Sequence, residues 1–283
     1  MKKVLLVFGT RPEAIKMCPL VKELKDRSED FSVTVCVTGQ HREMLDSVLD
    51  AFNIVPDYDL RIMRQGQTLF DITTSVLVGL RDIIGWSDPD IVLVHGDTTT
   101  SFAAALAAFY CRIPVGHVEA GLRTGNLSSP FPEEFNRQVV DVVSQFFFAP
   151  TEMARENLIS EGKDPERIFV TGNTGIDALA TTVCENYTHD GLDWAAGRRL
   201  VLLTAHRREN LGEPMRHMFR AIRRVVEERS DVCVLYPAHM NPLVRAVAED
   251  ELSGCDDIRI IPPLDVIDFH NFLARSYLIL TDS

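Results

Sequence analysis

Six short stretches of this chain place acids, bases and cations where a reacting ligand could meet them. In the earlier part they are Gly9-Thr10-Arg11-Pro12-Glu13 with Lys16, His95-Gly96-Asp97-Thr98, and His117 to Glu119 running into Gly121-Leu122-Arg123. In the later part they are Thr204-Ala205-His206-Arg207-Arg208-Glu209, Pro237-Ala238-His239-Met240-Asn241-Pro242 and Thr281-Asp282-Ser283. Carboxylates and histidines of this kind can move protons. Guanidinium forks match phosphate oxygens, so Arg207-Arg208 after His206 suits a phosphate, with a surface pair as the plain reading. Together the stretches describe a cleft lined with Arg, Lys, His and carboxylates.

Each stretch also has a structural explanation. Gly9-Thr10-Arg11-Pro12 is a good strand-to-helix turn with Pro near the first helical position. It is neither G-x-G-x-x-G nor a P-loop, so a dinucleotide fingerprint is absent. Asp97-Thr98 could simply cap a helix, and taken alone that reading is favoured. Glu119 sits between apolar and small residues, where an unpaired carboxylate is costly; a functional role is favoured there over an internal ion pair. Pro130-Phe131-Pro132-Glu133-Glu134 reads as a loop feeding a helix whose first turn favours carboxylates, which explains Glu133 without chemistry. His95, His117, His206 and His239 match no compact metal spacing, and a metal is the less favoured reading.

The elements that must position these residues alternate steadily. Apolar runs at 4–8, 33–38, 91–94, 115–118, 145–149, 168–170, 200–204, 232–236, 258–261 and 277–280 read as strands. Amphipathic segments such as 12–25, 44–51, 98–110, 133–144 and 215–228 read as helices. Strand and helix in alternation imply a parallel sheet covered on both faces. The polar stretches follow the strands, at the carboxyl edge where open parallel sheets bind ligands. Ten strands are many for one sheet, and a looser stretch at 187–197 precedes a new strand. The expected fold is α/β, two Rossmann-like domains at 1–171 and 172–283.

Composition narrows the function classes. At 283 residues with 46% apolar content, the chain can bury one large core or two modest ones. A net charge of −12 argues against nucleic-acid or acidic-membrane partners, so any anion must be met by local cations. The six cysteines are scattered without a C-x-x-C pair, the usage of a reduced compartment, and a cytoplasmic location is expected. Cys36 and Cys233 sit in strand-like runs as small hydrophobes. The apolar run after Met1-Lys2-Lys3 is too short for a signal peptide and reads as a buried first strand. No stretch approaches the roughly 20 apolar residues of a spanning helix.

At these residues the chain closely resembles the non-hydrolysing bacterial UDP-N-acetylglucosamine 2-epimerases. The matching strings are F-G-T-R-P-E-A-I-K-M (8–17), Q-H-R-E-M-L-D (40–46), H-G-D-T-T-T (95–100), G-H-V-E-A-G-L-R-T-G (116–125) and S-P-F-P-E-E-F-N-R (129–137). They continue with T-G-N-T (171–174), T-A-H-R-R-E-N-L-G-E-P (204–214), D-V-I-D-F-H-N-F (265–272) and L-T-D-S (280–283). The resemblance implies a glycosyltransferase-B-like domain pair holding a UDP-sugar between the domains. It implies interconversion of UDP-GlcNAc and UDP-ManNAc by elimination and re-addition of UDP, without a cofactor. Asp97, Glu119 and Glu133 then match the carboxylates for proton transfer, and His206 the residue at the pyrophosphate. Arg11 and Lys16 match positions near the nucleotide phosphates, and Asp282 and Ser283 lie where the UDP-binding segment begins. A homodimer and a role in surface polysaccharide synthesis also follow from the resemblance.

There are departures. Family members continue past T-D-S into a Gly-Gly-x-Gln-Glu-Glu stretch and a closing helix. The second domain is therefore expected to be incomplete, with the strand at 277–280 left uncovered. Some relatives are activated by a second UDP-GlcNAc. Gln40, His41, Arg207 and His239 match that second site, while Glu43 and Gly66 stand where those relatives carry Gln and Arg. The alternatives are a UDP-sugar glycosyltransferase of the same architecture and a truncated, inactive UDP-sugar-binding fragment.

Overall fold

The computed structural model of the chain describes residues 1–39, 42–207 and 210–282. It divides into two compact units, Met1–Thr181 and Thr182–Ser283. Among the described residues the first unit carries a seven-stranded sheet and the second a four-stranded one. Every strand pairing in both is parallel.

In the first unit β1 (Lys2–Phe8) pairs with β2 (Phe31–Val37) and β4 (Ile91–His95). The sheet runs outward through β3 (Tyr58–Asp59) on one side. On the other side it runs through β5 (Val115–Val118), β6 (Phe146–Ala149) and β7 (Ile168–Val170). Val4 to Phe8 are all at most 4% exposed, as a strand covered on both faces requires. The helices are α1 (Arg11–Asp26), α2 (Arg42–Ala51), α3 (Leu69–Ser87) and α4 (Thr99–Tyr110). They continue with α5 (Glu133–Val143), α6 (Glu152–Ser160) and α7 (Thr174–Thr182). One core cluster joins Leu5, Val7, Val92 and Val94 of the sheet to Val76 and Leu80 of α3. The small buried side chains Ala103, Ala104, Ala105, Ala107 and Ala108 let α4 lie close in the same cluster.

Local sequence sets the starts of the helices at the carboxyl edge. Thr10 caps α1 in a capping box with Glu13, with Pro12 in the first turn. Thr68 and Asp71 do the same for α3, and Thr98 caps α4. The division between units falls after Thr181 rather than after residue 171. The helix α7 sits alongside α1, where Thr174, Asp177 and Thr181 face Pro19, Lys22 and Glu23 across a shared cavity, so it groups with the first unit.

The second unit is α8 (Asp190–Ala195), β8 (Arg199–Thr204), α9 (Glu213–Glu228), β9 (Val232–Pro237), α10 (Pro242–Leu252), β10 (Ile258–Ile261), α11 (Val266–Arg275) and β11 (Leu278–Thr281). The strand order is β10-β9-β8-β11. Tyr236 and Phe219 anchor its core, ring on ring at 5.5 Å. Cys36 and Cys233 lie fully buried on β2 and β9. At the edge, Tyr277, Leu278 and Ile279 are exposed, an uncovered apolar strand. Among the described residues no helix is long and apolar enough to cross a membrane.

Candidate active site

Because the sheet of the first unit is parallel, the turns after β1, β4 and β5 open on one edge. Glu119 follows β5 in the left-handed region at φ 68°, a conformation disfavoured for a residue with a side chain. Its Oε1 is held by Lys16 Nζ from α1, in an ion pair with both side chains largely shielded. Its Oε2 lies 3.6 Å from His95 Nε2. Asp97, in the turn after β4, is paired through Oδ2 with Arg137 Nη2 of α5. Asn136 of the same helix donates to the Asp97 carbonyl at 2.9 Å. Asp97 and Glu119 are therefore each matched by a cation reached from another element. For Glu119, the internal ion pair and a position at the carboxyl edge coexist.

Glu133 opens α5 and lines a cavity of about 350 Å³ with Thr10, Pro12, Leu69, Asp97, Thr98, Pro132 and Asn136. That volume is within the range of small-molecule sites. A larger cavity of about 430 Å³, along α1 and α7, contains none of the strand-end residues. The neighbouring Glu134 turns away from the cavity. It is fully buried and accepts from the backbone N–H groups of Thr124 and Gly125 at 3.0 and 3.1 Å. Burial pushes Glu134 upward, but hydrogen bonds from Gln138, Thr124 and Gly125 outweigh it and hold the group below the usual carboxylate value.

Four further residues shape this region beside the candidate carboxylates. Glu13 is 2% exposed and accepts from Gly9 N, Thr10 N and Thr10 Oγ1 with one oxygen, and from Thr98 and Ser101 hydroxyls with the other. It thereby ties the turn after β1 to the turn after β4. Burial raises its pKa, against the lowering effect of these bonds. His95 is 4% exposed, and neither ring nitrogen has a hydrogen-bond partner among the described residues. Burial, then the charges of Lys16 and His117, hold it well below the usual histidine value, so it is neutral. Arg137 and Asn136 had a sequence signal: from Glu133 they fall at i+4 and i+3, on one face of a helix.

In the second unit the turns after β8 and β11 meet. Asp282 accepts from the backbone N–H groups of His206 at 3.1 Å and Arg207 at 2.9 Å, and from Asn210 Nδ2 at 3.1 Å. Burial raises its pKa, but the hydrogen bonds from Arg207, Asn210 and His206 outweigh it and leave Asp282 below the usual value. The His206 ring stacks on His239 at 5.4 Å and 13°. His239 Nδ1 accepts from Asn241 N at 3.1 Å, so that nitrogen serves the start of α10. Tyr236 hydroxyl donates to the Ala205 carbonyl at 2.6 Å, fixing the same loop from below. Gln40, His41 and Ser283 lie outside the described residues, as do Arg208 and Glu209. Arg11, at the first turn of α1, is partly buried.

Comparison with known proteins adds substrate names. The sequence profile of the family described as UDP-N-acetylglucosamine 2-epimerase matches residues 22–283. The UDP-N-acetylglucosamine 2-epimerase of Bacillus subtilis strain 168 is 60% identical over 281 residues, 99% of this chain and 74% of that protein. The Staphylococcus aureus MnaA–UDP co-structure is 53% identical with a TM-score of 0.88, covering 100% of this chain and 75% of that one. The UDP-GlcNAc 2-epimerase of Neisseria meningitidis, solved bound to UDP-GlcNAc, is 46% identical with a TM-score of 0.88, covering 99% of this chain and 78% of that one.

Proposed function

The chain belongs to the UDP-N-acetylglucosamine 2-epimerase family of isomerases, and on that premise we propose that it interconverts UDP-GlcNAc and UDP-ManNAc by eliminating UDP and adding it back. Inversion at C2 must break a C–H bond that no adjacent carbonyl acidifies. Departure of UDP with the C1–O electron pair builds positive charge at C1, and this makes the C2 proton removable. A base takes that proton as the C1=C2 bond forms, giving a 2-acetamidoglucal. Return reverses the balance: a UDP oxygen bonds C1, and C2 receives a proton on its opposite face.

The scheme needs proton-carrying groups on two faces and cations for the leaving diphosphate. Asp97, Glu119 and Glu133 are assigned to proton transfer. Arg11, Lys16 and His206 are assigned to the diphosphate, and Asp282 with Ser283 to the UDP-binding segment. The observation that carries this reading is the pair of carboxylates on adjacent strand ends. Asp97 is held by Arg137 and Glu119 by Lys16, with Glu133 in the same cavity as Asp97. Fixed partners keep the carboxylates oriented before a ligand arrives, and such preorganisation lowers the barrier. In the same reading the chain works in the cytoplasm as a homodimer and supplies an activated N-acetylmannosamine for surface polysaccharide.

The test is incubation of the purified chain with UDP-GlcNAc alone in deuterated water. The expected result is UDP-ManNAc, with deuterium at C2 of both epimers and no acceptor required. A glycosyltransferase would leave the substrate untouched without an acceptor. Absence of both C2 deuterium and UDP-ManNAc overturns the proposal.

A further inference from the structure

We propose that His117 is a buried imidazolium whose two ring N–H groups position the candidate proton-transfer carboxylates, locking the turn after β4, the end of β5 and α5 into one frame. The ring is fully buried, and both nitrogens face acceptors. Nε2 is 2.8 Å from the Gly96 carbonyl, and Nδ1 is 2.6 Å from Asp141 Oδ1. A carbonyl can only accept, so Nε2 carries a hydrogen. Nδ1 must then either donate to a carboxylate or accept from a protonated acid.

The surroundings of Asp141 decide between these. Its second oxygen accepts from Arg123 Nη2 at 2.8 Å and from the Gly121 N–H at 3.3 Å. An arginine is a permanent cation, and both donors favour the ionised acid. Burial works against the charge, while the Arg123 guanidinium and the Gly121 N–H favour it whatever the state of His117. Asp141 is therefore a carboxylate, and Nδ1 of His117 donates to it. The other charged groups facing this cluster are Glu161, which pairs with Arg123, and the Lys16–Glu119 pair beside a neutral His95.

The consequence concerns geometry at the site. Gly96 immediately precedes Asp97, and Glu119 lies two residues beyond His117. Asp141 lies one turn along α5 from Arg137, which holds Asp97. A doubly donating His117 thus fixes, through its two bonds, the backbone that aims Asp97 and Glu119. The charge stands independently of the proposed reaction, while its effect on turnover rests on that reading.

The experiment labels histidine nitrogens in the full chain and records imidazole nitrogen NMR spectra at about pH 8, where an ordinary histidine of pKa ~6.5 is neutral. One ring, lost in His117→Gln, should keep hydrogen on both nitrogens. A bare ring nitrogen for His117 overturns the charge assignment, and the wild-type spectrum decides this whether or not any variant folds. Asp141→Asn should leave a single tautomer, with hydrogen retained on Nε2, and should move the amide signals of Gly96, Asp97 and Glu119 together. It should slow C2 deuterium exchange by about tenfold to a hundredfold with UDP affinity unchanged, the mark of misplacement rather than lost binding. Unmoved amides and unchanged exchange overturn the positioning role. Failure of wild-type exchange would strike the proposed reaction instead, leaving the nitrogen and amide signals to judge His117.

Discussion

Both sheets load their carboxyl edge with polar residues, yet they hold them by different means. In the first unit, side chains hold the candidate carboxylates and their support: Lys16 takes Glu119, Arg137 takes Asp97, and Arg123 and His117 take Asp141, while Glu13 and Glu134 hold backbone. In the second unit, one carboxylate holds backbone: Asp282 gathers the N–H groups of His206 and Arg207, whose side chains are exposed. The first arrangement fixes charge and direction before any ligand arrives, as proton transfer requires. The second fixes a loop and leaves its cationic side chains turned outward, as suits capture of an anion.

That contrast can be broken most sharply at the first edge. In Asp97→Asn or Glu119→Gln, C2 deuterium exchange should fall by roughly 10²-fold or more, the usual contribution of a positioned acid or base. Normal exchange in both variants would remove the chemical half of the comparison. Next in size is a packing test. A Cβ on Gly121 would lie 2.2 Å from the Ala154 carbonyl oxygen, at φ 84°. Gly197 in the second unit has a similar φ of 79° but nothing within 4 Å. Gly121→Ala should therefore cost about 3 kcal/mol or more in denaturant melts, and Gly197→Ala about 1 kcal/mol, because only the first adds a clash to left-handed strain. Equal losses would mean that the packing around Gly121 adds nothing to the left-handed strain.

Smaller still is the backbone clamp. Asp282→Ala strips acceptors from two backbone N–H groups and Asn210, which should weaken UDP binding by about tenfold and cost about 2 kcal/mol of stability. Calorimetric titration with UDP checks it, and undiminished affinity would show that the loop keeps its shape unaided. The smallest effect, per pH unit, concerns His95. The unfolded chain takes up a proton there near pH 6.5, roughly the free-histidine value, while the folded chain holds the ring neutral. Stability should therefore drop as pH falls below that value, by about 1.4 kcal/mol per unit from this group. Thermal melts of His95→Asn across that range should show a flatter slope than wild type, and parallel slopes would refute it.

Much of the architecture was legible because strands buried on both faces leave continuous apolar runs. The expected runs coincide with the observed strands within two residues at each end, β1 to β11, with one exception. β3 spans only Tyr58–Asp59, too short to leave any periodic trace. The division into two α/β units was legible too, although α7 stays with the first unit because it lies along α1. Asp97, Glu119 and Glu133 were visible as strand-end or helix-start carboxylates. Of their partners, Lys16 already stood in the first strand-end stretch, whereas Arg137 sits in what reads as an ordinary amphipathic helix and is marked only by its i+4 spacing from Glu133. Glu13 stood among the polar residues after the first strand, and in the structure it closes the capping box of α1. That it also gathers Thr98 and Ser101 from 85 and 88 residues away is a product of the parallel crossover, which no local pattern records.

The left-handed backbone at Glu119 has a further consequence. Glycine would sit there without strain, so Glu119→Gly trades the candidate carboxylate for a more relaxed chain. About 1–2 kcal/mol of local discomfort is thus retained at the residue whose carboxylate the proposed reaction would use. Selection for stability alone would drift toward glycine at this position, and selection for turnover would oppose it. A library randomised at residue 119 and sorted once for heat resistance and once for exchange should separate along that single coordinate.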